Sequence, residues 1–302
     1  MNLTAPTSAT ILCVQISVNI IMLHLILPFT TVLVIVLVEK QALREKPQFI
    51  FFTSLMINEV IVYLVRIIFI AVQLGNVPIS SSVCNVYQSL VSVYLANDFY
   101  SLAAMSIDRC IAICWPLKYN MILSPVRVRN AVITIALVSA SVPFALFLAE
   151  EILEKHHNPN MLCTVDNVTL FKTGQMRVLY SVFRVCASSL VVVLSYILIY
   201  REGRRAGVFS VENETGRRSI LYHGLQLSLF ILPTILLQVL AAFGRRIAIS
   251  FQTYEAILMT HLVVFSVAQG LGLVIYGLKI THLRKNMCRV LGINRAAIGV
   301  HS

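Results

Sequence analysis

The sequence predicts an all-α membrane protein, a bundle of seven membrane-spanning helices followed by a short amphipathic helix. Three observations carry the prediction. The first is composition. The 302 residues are 58% hydrophobic and only 12% charged, with a mean hydropathy of +0.84, whereas a soluble domain carries about 25% charged residues. Such a chain cannot cover its surface with polar groups. The second is stretch length. A bilayer core takes roughly 20 apolar residues per helix, and seven stretches meet that. The third is the placement of charge, which falls between the stretches and almost wholly on one side.

The stretches run over approximately 9–38, 48–74, 84–113, 131–149, 175–200, 218–243 and 252–278. The first holds no charged residue, since Glu39 is the first in the chain. No positively charged leader precedes it, so it is expected to act as its own signal-anchor. The second carries Glu59 and Arg66, the third Asp98, and the fifth Arg184. Proline at Pro116 stops the third, because it lacks an N–H and clashes with the preceding turn. Pro233 frees a backbone carbonyl in the sixth and kinks it. Residues 279–291 read as a basic amphipathic helix on a leaflet surface, where anionic lipid head groups meet it. Neither a soluble domain nor a low-complexity linker interrupts residues 1–302, which read as one domain.

Short-loop Lys and Arg set the orientation. Lys40, Arg44 and Lys46 follow the first stretch. Arg109, Lys118, Arg127 and Arg129 follow the third, and Arg201, Arg204, Arg205, Arg217 and Arg218 the fifth. Lys279, Arg284, Lys285, Arg289 and Arg295 follow the seventh. The bases on this face exceed its acids by the chain's whole net charge of +11. That face is therefore cytoplasmic, with the N-terminus outside and the C-terminus inside. The charge sits where lipid head groups and a cytoplasmic partner would read it, and nucleic acid is not an expected partner. The sequons at Asn2 and Asn167 fall outside, where glycosylation occurs. Asn213 falls inside and should stay bare.

The stretch Met105-Ser106-Ile107-Asp108-Arg109-Cys110-Ile111-Ala112-Ile113-Cys114-Trp115-Pro116-Leu117-Lys118-Tyr119 resembles the MAYDRYVAICxPLxY signature of odorant receptors, which belong to the rhodopsin-like (class A) G-protein-coupled receptors. Asp108-Arg109, Ala112-Ile113-Cys114 and Pro116-Leu117 match it, while Ser106, Ile107 and Cys110 depart; Cys163 stands alone in the outer loop where the family carries further cysteines, which implies a divergent branch. Ser195-Tyr196-Ile197-Leu198-Ile199 is similar to the family's run at the inner end of helix five. Tyr276 stands at the tyrosine of the helix-seven motif, although Gly272 and Leu273 replace its Asn and Pro. The resemblance implies that Asp108 and Arg109 form a charge switch that opens to a heterotrimeric G protein of the cyclase-stimulating kind, with Tyr196 and Tyr276 beside it. An Asp–Arg pair at a helix mouth is physically a two-state element, held when closed and freed when helices part. The resemblance also implies a Cys84–Cys163 disulfide, in keeping with an oxidising outer compartment. Cys288 is a candidate for palmitoylation.

Two intramembrane acids, Glu59 and Asp98, cannot both stay charged in low dielectric unless a cation or a proton is shared. Glu59 lies in Ser54-Leu55-Met56-Ile57-Asn58-Glu59, similar to the family's helix-two acid segment. With Asn58 and Asn97 the two acids make a site for a sodium ion or a proton, or a hydrogen-bonded pair joining two helices. No other cofactor and no metal-ligand spacing is present, and no catalytic constellation points to an enzyme.

The resemblance places a ligand pocket between helices three, five, six and seven in the outer half. Its candidate lining is Gln88, Val91, Ser92, Leu95, Arg184, Ser188, Thr234, Gln238, Leu258 and Met259. Arg184 either meets an acidic group on a ligand or pairs with an outer-loop carboxylate. The outer half of helix three has no acid to serve as an amine counter-ion, and helix seven has no lysine for a Schiff base. A mostly apolar pocket with a few hydroxyls and amides suits a small, weakly polar molecule. The expectation is a plasma-membrane odorant receptor. The alternatives are a class A receptor for an endogenous lipid or peptide, and a proton-coupled small-solute transporter using Glu59 and Asp98. The absence of paired repeats counts against the transporter.

Overall fold

The structure, a computed structural model, describes residues 9–39, 41, 45–75, 77, 79–153 and 172–205. Further on it describes 220–221, 224–225, 227–236, 260, 263–264 and 267–268. The described residues form helices and turns, with no strand among them. Helix α1 spans Ala9–Glu39, α2 Pro47–Leu74, α3 Ser81–Cys114, α4 Pro125–Leu153 and α5 Lys172–Arg205. All five are long and apolar enough to cross a membrane, and α6, Leu227–Leu236, is a shorter apolar helix inside the sixth stretch.

The helices outrun the apolar stretches because hydrogen bonding continues past the lipid. α3 starts at Ser81, where the Ser80 hydroxyl accepts from the Val83 N–H at 3.4 Å. α4 starts at Pro125 rather than at 131. Proline suits a first helical position, and Arg127 and Arg129 lie on helix that hydropathy alone assigns to the loop. α5 runs on to Arg205, with Arg204 and Arg205 in its last turn. Pro28 and Pro143 lie inside α1 and α4. Membrane helices accept such breaks when neighbouring groups satisfy the freed carbonyl. Hydroxyls within the span return to their own backbone: Thr30 to Ile26 O at 2.9 Å and Thr31 to Leu27 O at 2.8 Å.

α3 is the hub. It packs against α5, α4 and α2, while α1 packs on α2. The core gathers Ile26, Phe29, Phe52, Met56, Tyr63, Phe99, Leu102, Met105 and Phe230. Phe99 meets Phe230 of α6 edge-on, with ring centroids 5.7 Å apart. The outward faces stay apolar: Leu25 is 59% exposed, Leu137 67% and Phe183 67%. Apolar surface on this scale requires a covering, and the length and hydropathy of the helices identify it as lipid. Among the five described spans, α4 buries the least of its apolar length. Residues 2, 163, 167, 238, 258, 259, 276, 279–291 and 288 carry expectations of the sequence and lie outside the described residues.

Candidate functional site

At the end of α3, the chain breaks and folds back on itself. Trp115 takes φ −135° and ψ 58° and ends the helix. Pro116–Lys118 make a 3₁₀ turn and Tyr119–Ile122 one helical turn. The Arg127 guanidinium ties this turn to α4 by donating to Met121 O at 2.5 Å. The fold-back carries Tyr119 under the helix end, where its hydroxyl donates to Asp108 Oδ1 at 2.7 Å. Burial and that bond push the Tyr119 phenol well above its ordinary range, so it remains a donor.

Asp108 is 2% exposed. Its ion pair with Arg109 is long, 3.8 Å from Nε to Oδ2. The other end of Arg109 donates from Nη2 to Gln48 Oε1 at the start of α2. The switch expected from Asp108 and Arg109 alone is thus a four-residue arrangement joining α2, α3 and the following loop. Tyr119 stands within the sequence signature without any role legible there. Gln48 gives no sequence signal at all. Tyr196 of α5 packs against the α6 side, and a Cβ added at Gly224 would lie 3.1 Å from its ring.

Deeper in the bundle, Glu59 and Asp98 are each 1% exposed. They come together between α2 and α3, within side-chain hydrogen-bond reach. Asn58 Nδ2 donates to Asp98 Oδ1 at 2.5 Å and to Tyr94 O at 3.1 Å. Two carboxyls this close cannot both stay charged in low dielectric unless they share a proton or a cation. Asn97 is also buried, but among the described residues no hydrogen bond joins it to either acid. It follows from helix geometry: next to Asp98 in sequence, it points about 100° away around the axis.

In the outer half, Arg184 faces α3. It is 2% exposed and donates to the Ser92 carbonyl at 3.2 Å and to Ser181 Oγ at 3.1 Å. Its guanidinium lies over the rings of Phe99, at 5.7 Å, and Tyr180, at 5.5 Å. No ion pair joins it to a carboxylate among the described residues. The pairing with an outer-loop carboxylate expected for Arg184 falls instead to Arg177, two turns nearer the start of α5. Arg177 Nη2 meets Glu150 Oε2 of α4 at 2.6 Å, and its Nη1 donates to Ser89 Oγ at 3.1 Å. Sequence alone treats Arg177 as one more outer base.

Ser188, one turn inward from Arg184, is 3% exposed. Gln88, Val91, Ser92 and Leu95 are half-buried on α3. Thr234 is buried and donates to its own helix at Phe230 O, 3.0 Å, so its hydroxyl is already engaged. Cys84 is disulfide-bonded. Cys13, Cys110, Cys114 and Cys186 are free, so its partner is not among the described residues. No group of three or more His, Cys, Asp and Glu able to hold a metal occurs among the described residues.

Comparison with known proteins agrees with this geometry. The family model of the seven-transmembrane receptors (rhodopsin family) matches residues 30–269. The chain is 26% identical over 159 residues to odorant receptor 131-2 of Danio rerio, covering 50% of this chain and 48% of that one. It is 27% identical over 219 residues to the alpha-2Da adrenergic receptor of Danio rerio, covering 71% and 50%. It is 28% identical over 144 residues to olfactory receptor 6C2 of Homo sapiens, covering 43% and 45%. The chain spans about half the length of these relatives.

Proposed function

This chain belongs to the rhodopsin family of seven-transmembrane receptors, and from that premise we propose that it is an odorant-type chemosensory receptor. Members of the family are multi-pass membrane proteins that signal rather than catalyse. In this reading a small molecule binds the outer half of the bundle, and the cytoplasmic face switches a heterotrimeric G protein that stimulates cyclase. One observation carries the reading: the Asp108–Arg109 pair sits at the inner mouth of α3, within a signature similar to that of odorant receptors, and is latched by Tyr119 and Gln48. The basic loops support an outside N-terminus and an inside C-terminus at the plasma membrane.

The Glu59–Asp98 pair holds one shared proton in this reading. The hydrogen bond to Tyr94 O fixes which end of the Asn58 amide faces Asp98, and that end is the donor NH₂. A donor stands where a sodium ion would need an oxygen, so the arrangement suits a proton better than a cation.

The test is cyclic AMP in cells expressing the chain at verified surface levels, against cells lacking it and across a panel of small odorants. A basal rise, or a rise with some odorant, is expected. Silence throughout with good surface expression would remove cyclase coupling. A response to an endogenous lipid or peptide alone would move the reading to the rival receptor class.

Cys84 pairs with Cys163 in the same reading, tying the outer loop to the start of α3. Cys84→Ser and Cys163→Ser are each expected to cost about 2–5 kcal/mol, seen as lost surface expression and a lower melting temperature. The double variant should be no worse than either single one. Additive losses would show that the two thiols have different partners.

A further inference from the structure

We infer that the ligand of the outer-half site is a small organic acid, whose carboxylate is held by Arg184 of α5 with the Ser188 hydroxyl as second donor. The inference rests on the receptor reading above and names the ligand class of the same pocket.

The argument begins with unspent donors. Arg184 uses Nη1 and Nη2 on Ser92 O and Ser181 Oγ, but its Nε finds no acceptor, although the side chain is 2% exposed. Ser188 Oγ, also buried, finds no partner either. The two residues are four apart on one helix and therefore share a face. The Tyr180 hydroxyl, whose ring lies under the Arg184 guanidinium, is also without a partner, so unsatisfied buried polar groups gather at this place and call for an explanation.

Charge points the same way. Among the described residues, the Tyr180 and Tyr100 hydroxyls act on Arg184 ahead of the one carboxyl that reaches it, Asp98, and Asp98 is shared with Arg66. In the proposed reading Asp98 and Glu59 share one proton, so together they supply one negative charge. Arg184, 2% exposed, has no carboxylate partner of its own among the described residues. An uncompensated cation in low dielectric is costly, and one bound monoanion would balance it. A planar guanidinium fork matches a carboxylate better than it matches any neutral oxygen. The walls set the rest of the molecule. Val91, Leu95 and Phe99 follow at four-residue spacing on α3, which favours an apolar body. Phe99 lies beneath the guanidinium and meets Phe230 of α6. A carboxylate on Arg184 therefore bears on the ring that touches the helix expected to swing.

The probes are straight-chain and aryl carboxylates of four to twelve carbons, each beside its alcohol and its methyl ester. The readout is the melting temperature of the purified full-length protein in detergent at neutral pH, which requires no G protein. At least one acid should stabilise the wild type at a concentration about tenfold below its alcohol and ester, the usual advantage of a charge-assisted pair. Ser188→Ala should raise the concentration needed of that acid by about fivefold and leave the neutral probes unchanged. Arg184→Lys should keep part of the preference and Arg184→Gln should lose it. If no acid stabilises the wild type, or if alcohol and ester act as well as their acid, the proposal is overturned. Should Arg184→Gln fail to fold, an unchanged acid response in Ser188→Ala would overturn the two-donor site by itself. Failure of the proposal leaves the receptor reading distinguishable, because basal cyclic AMP is read without any ligand.

Discussion

If the chain signals as proposed, Arg109→Ala is expected to abolish both basal and ligand-evoked signalling while surface expression holds, whereas Gln48→Ala and Tyr119→Phe should each raise the basal signal. The opposite signs follow from where each bond sits. Gln48 and Tyr119 engage the charge pair, one on the guanidinium and one on the carboxylate, and the proposed switch takes this arrangement as its closed state. The direct Asp108–Arg109 contact, at 3.8 Å, is too long to be a strong charge-assisted bond, which falls near 2.7–2.9 Å. The latch therefore depends on its flanking partners. A hydrogen bond to a charged group is worth about 1.5–3 kcal/mol net. Losing one should shift the resting-to-active ratio by roughly tenfold or more, since about 1.4 kcal/mol is a factor of ten. In the proposed reading Arg109 differs because the open state needs it as well, as the group released toward the G protein. The measurement is cyclic AMP at matched surface levels for the four chains, normalised to a receptor-independent cyclase activator. A wild-type signal from Arg109→Ala would remove its coupling role. Basal signals from Gln48→Ala and Tyr119→Phe at or below wild type would show that these bonds do not hold the closed state.

That prediction could be half written from the sequence. Asp108 and Arg109 are legible because an adjacent acid and base at the mouth of an apolar helix is expensive, and because the surrounding run is long. Gln48 is not legible. It is 61 residues from Arg109, and nothing local distinguishes a glutamine in the first turn of α2 from any polar interfacial residue. Only the packing of α2 on α3 brings it there. Helix limits show the same division. Hydropathy finds where lipid begins, while Ser80 and Pro125 fix where helix begins, and both lie outside the apolar runs. Charge cost likewise brings Arg184 to notice, but it does not say which arginine takes the Glu150 carboxylate. Arg177 and Arg184 are seven apart, close to two turns, so both face inward. Their depth relative to Glu150 decides the pairing, and depth is not written in composition. Asn97 fails for the converse reason, since proximity in sequence to Asp98 places it on another face.

Asp98→Ala should cost about 2–4 kcal/mol, and Asp98→Asn about 1 kcal/mol or less. Removing the carboxyl strips Asn58 Nδ2 of one acceptor and takes from Glu59 the neighbour within its reach, in a place 1% exposed. Buried polar groups left unsatisfied cost about 1–3 kcal/mol each. Asparagine, by contrast, imitates a protonated acid. Its oxygen can still accept from Asn58 while its NH₂ donates to a Glu59 carboxylate. The substitution thus preserves the pattern that a shared proton creates and removes only the proton's mobility. The check is the melting temperature of the purified chain, where a loss of this size should appear as a drop of several degrees, measured in sodium chloride and again in choline chloride. With a shared proton, wild type and Asp98→Asn are nearly equal in stability and neither responds to the exchange of cation. If sodium holds the pair, both acids are ionised around it. Wild type then loses stability in choline, and Asp98→Asn falls toward Asp98→Ala because it has lost a charge that the ion requires. The two substitutions separate hydrogen-bond shape from net charge, which are the two physical reasons a pair of acids can persist inside a membrane.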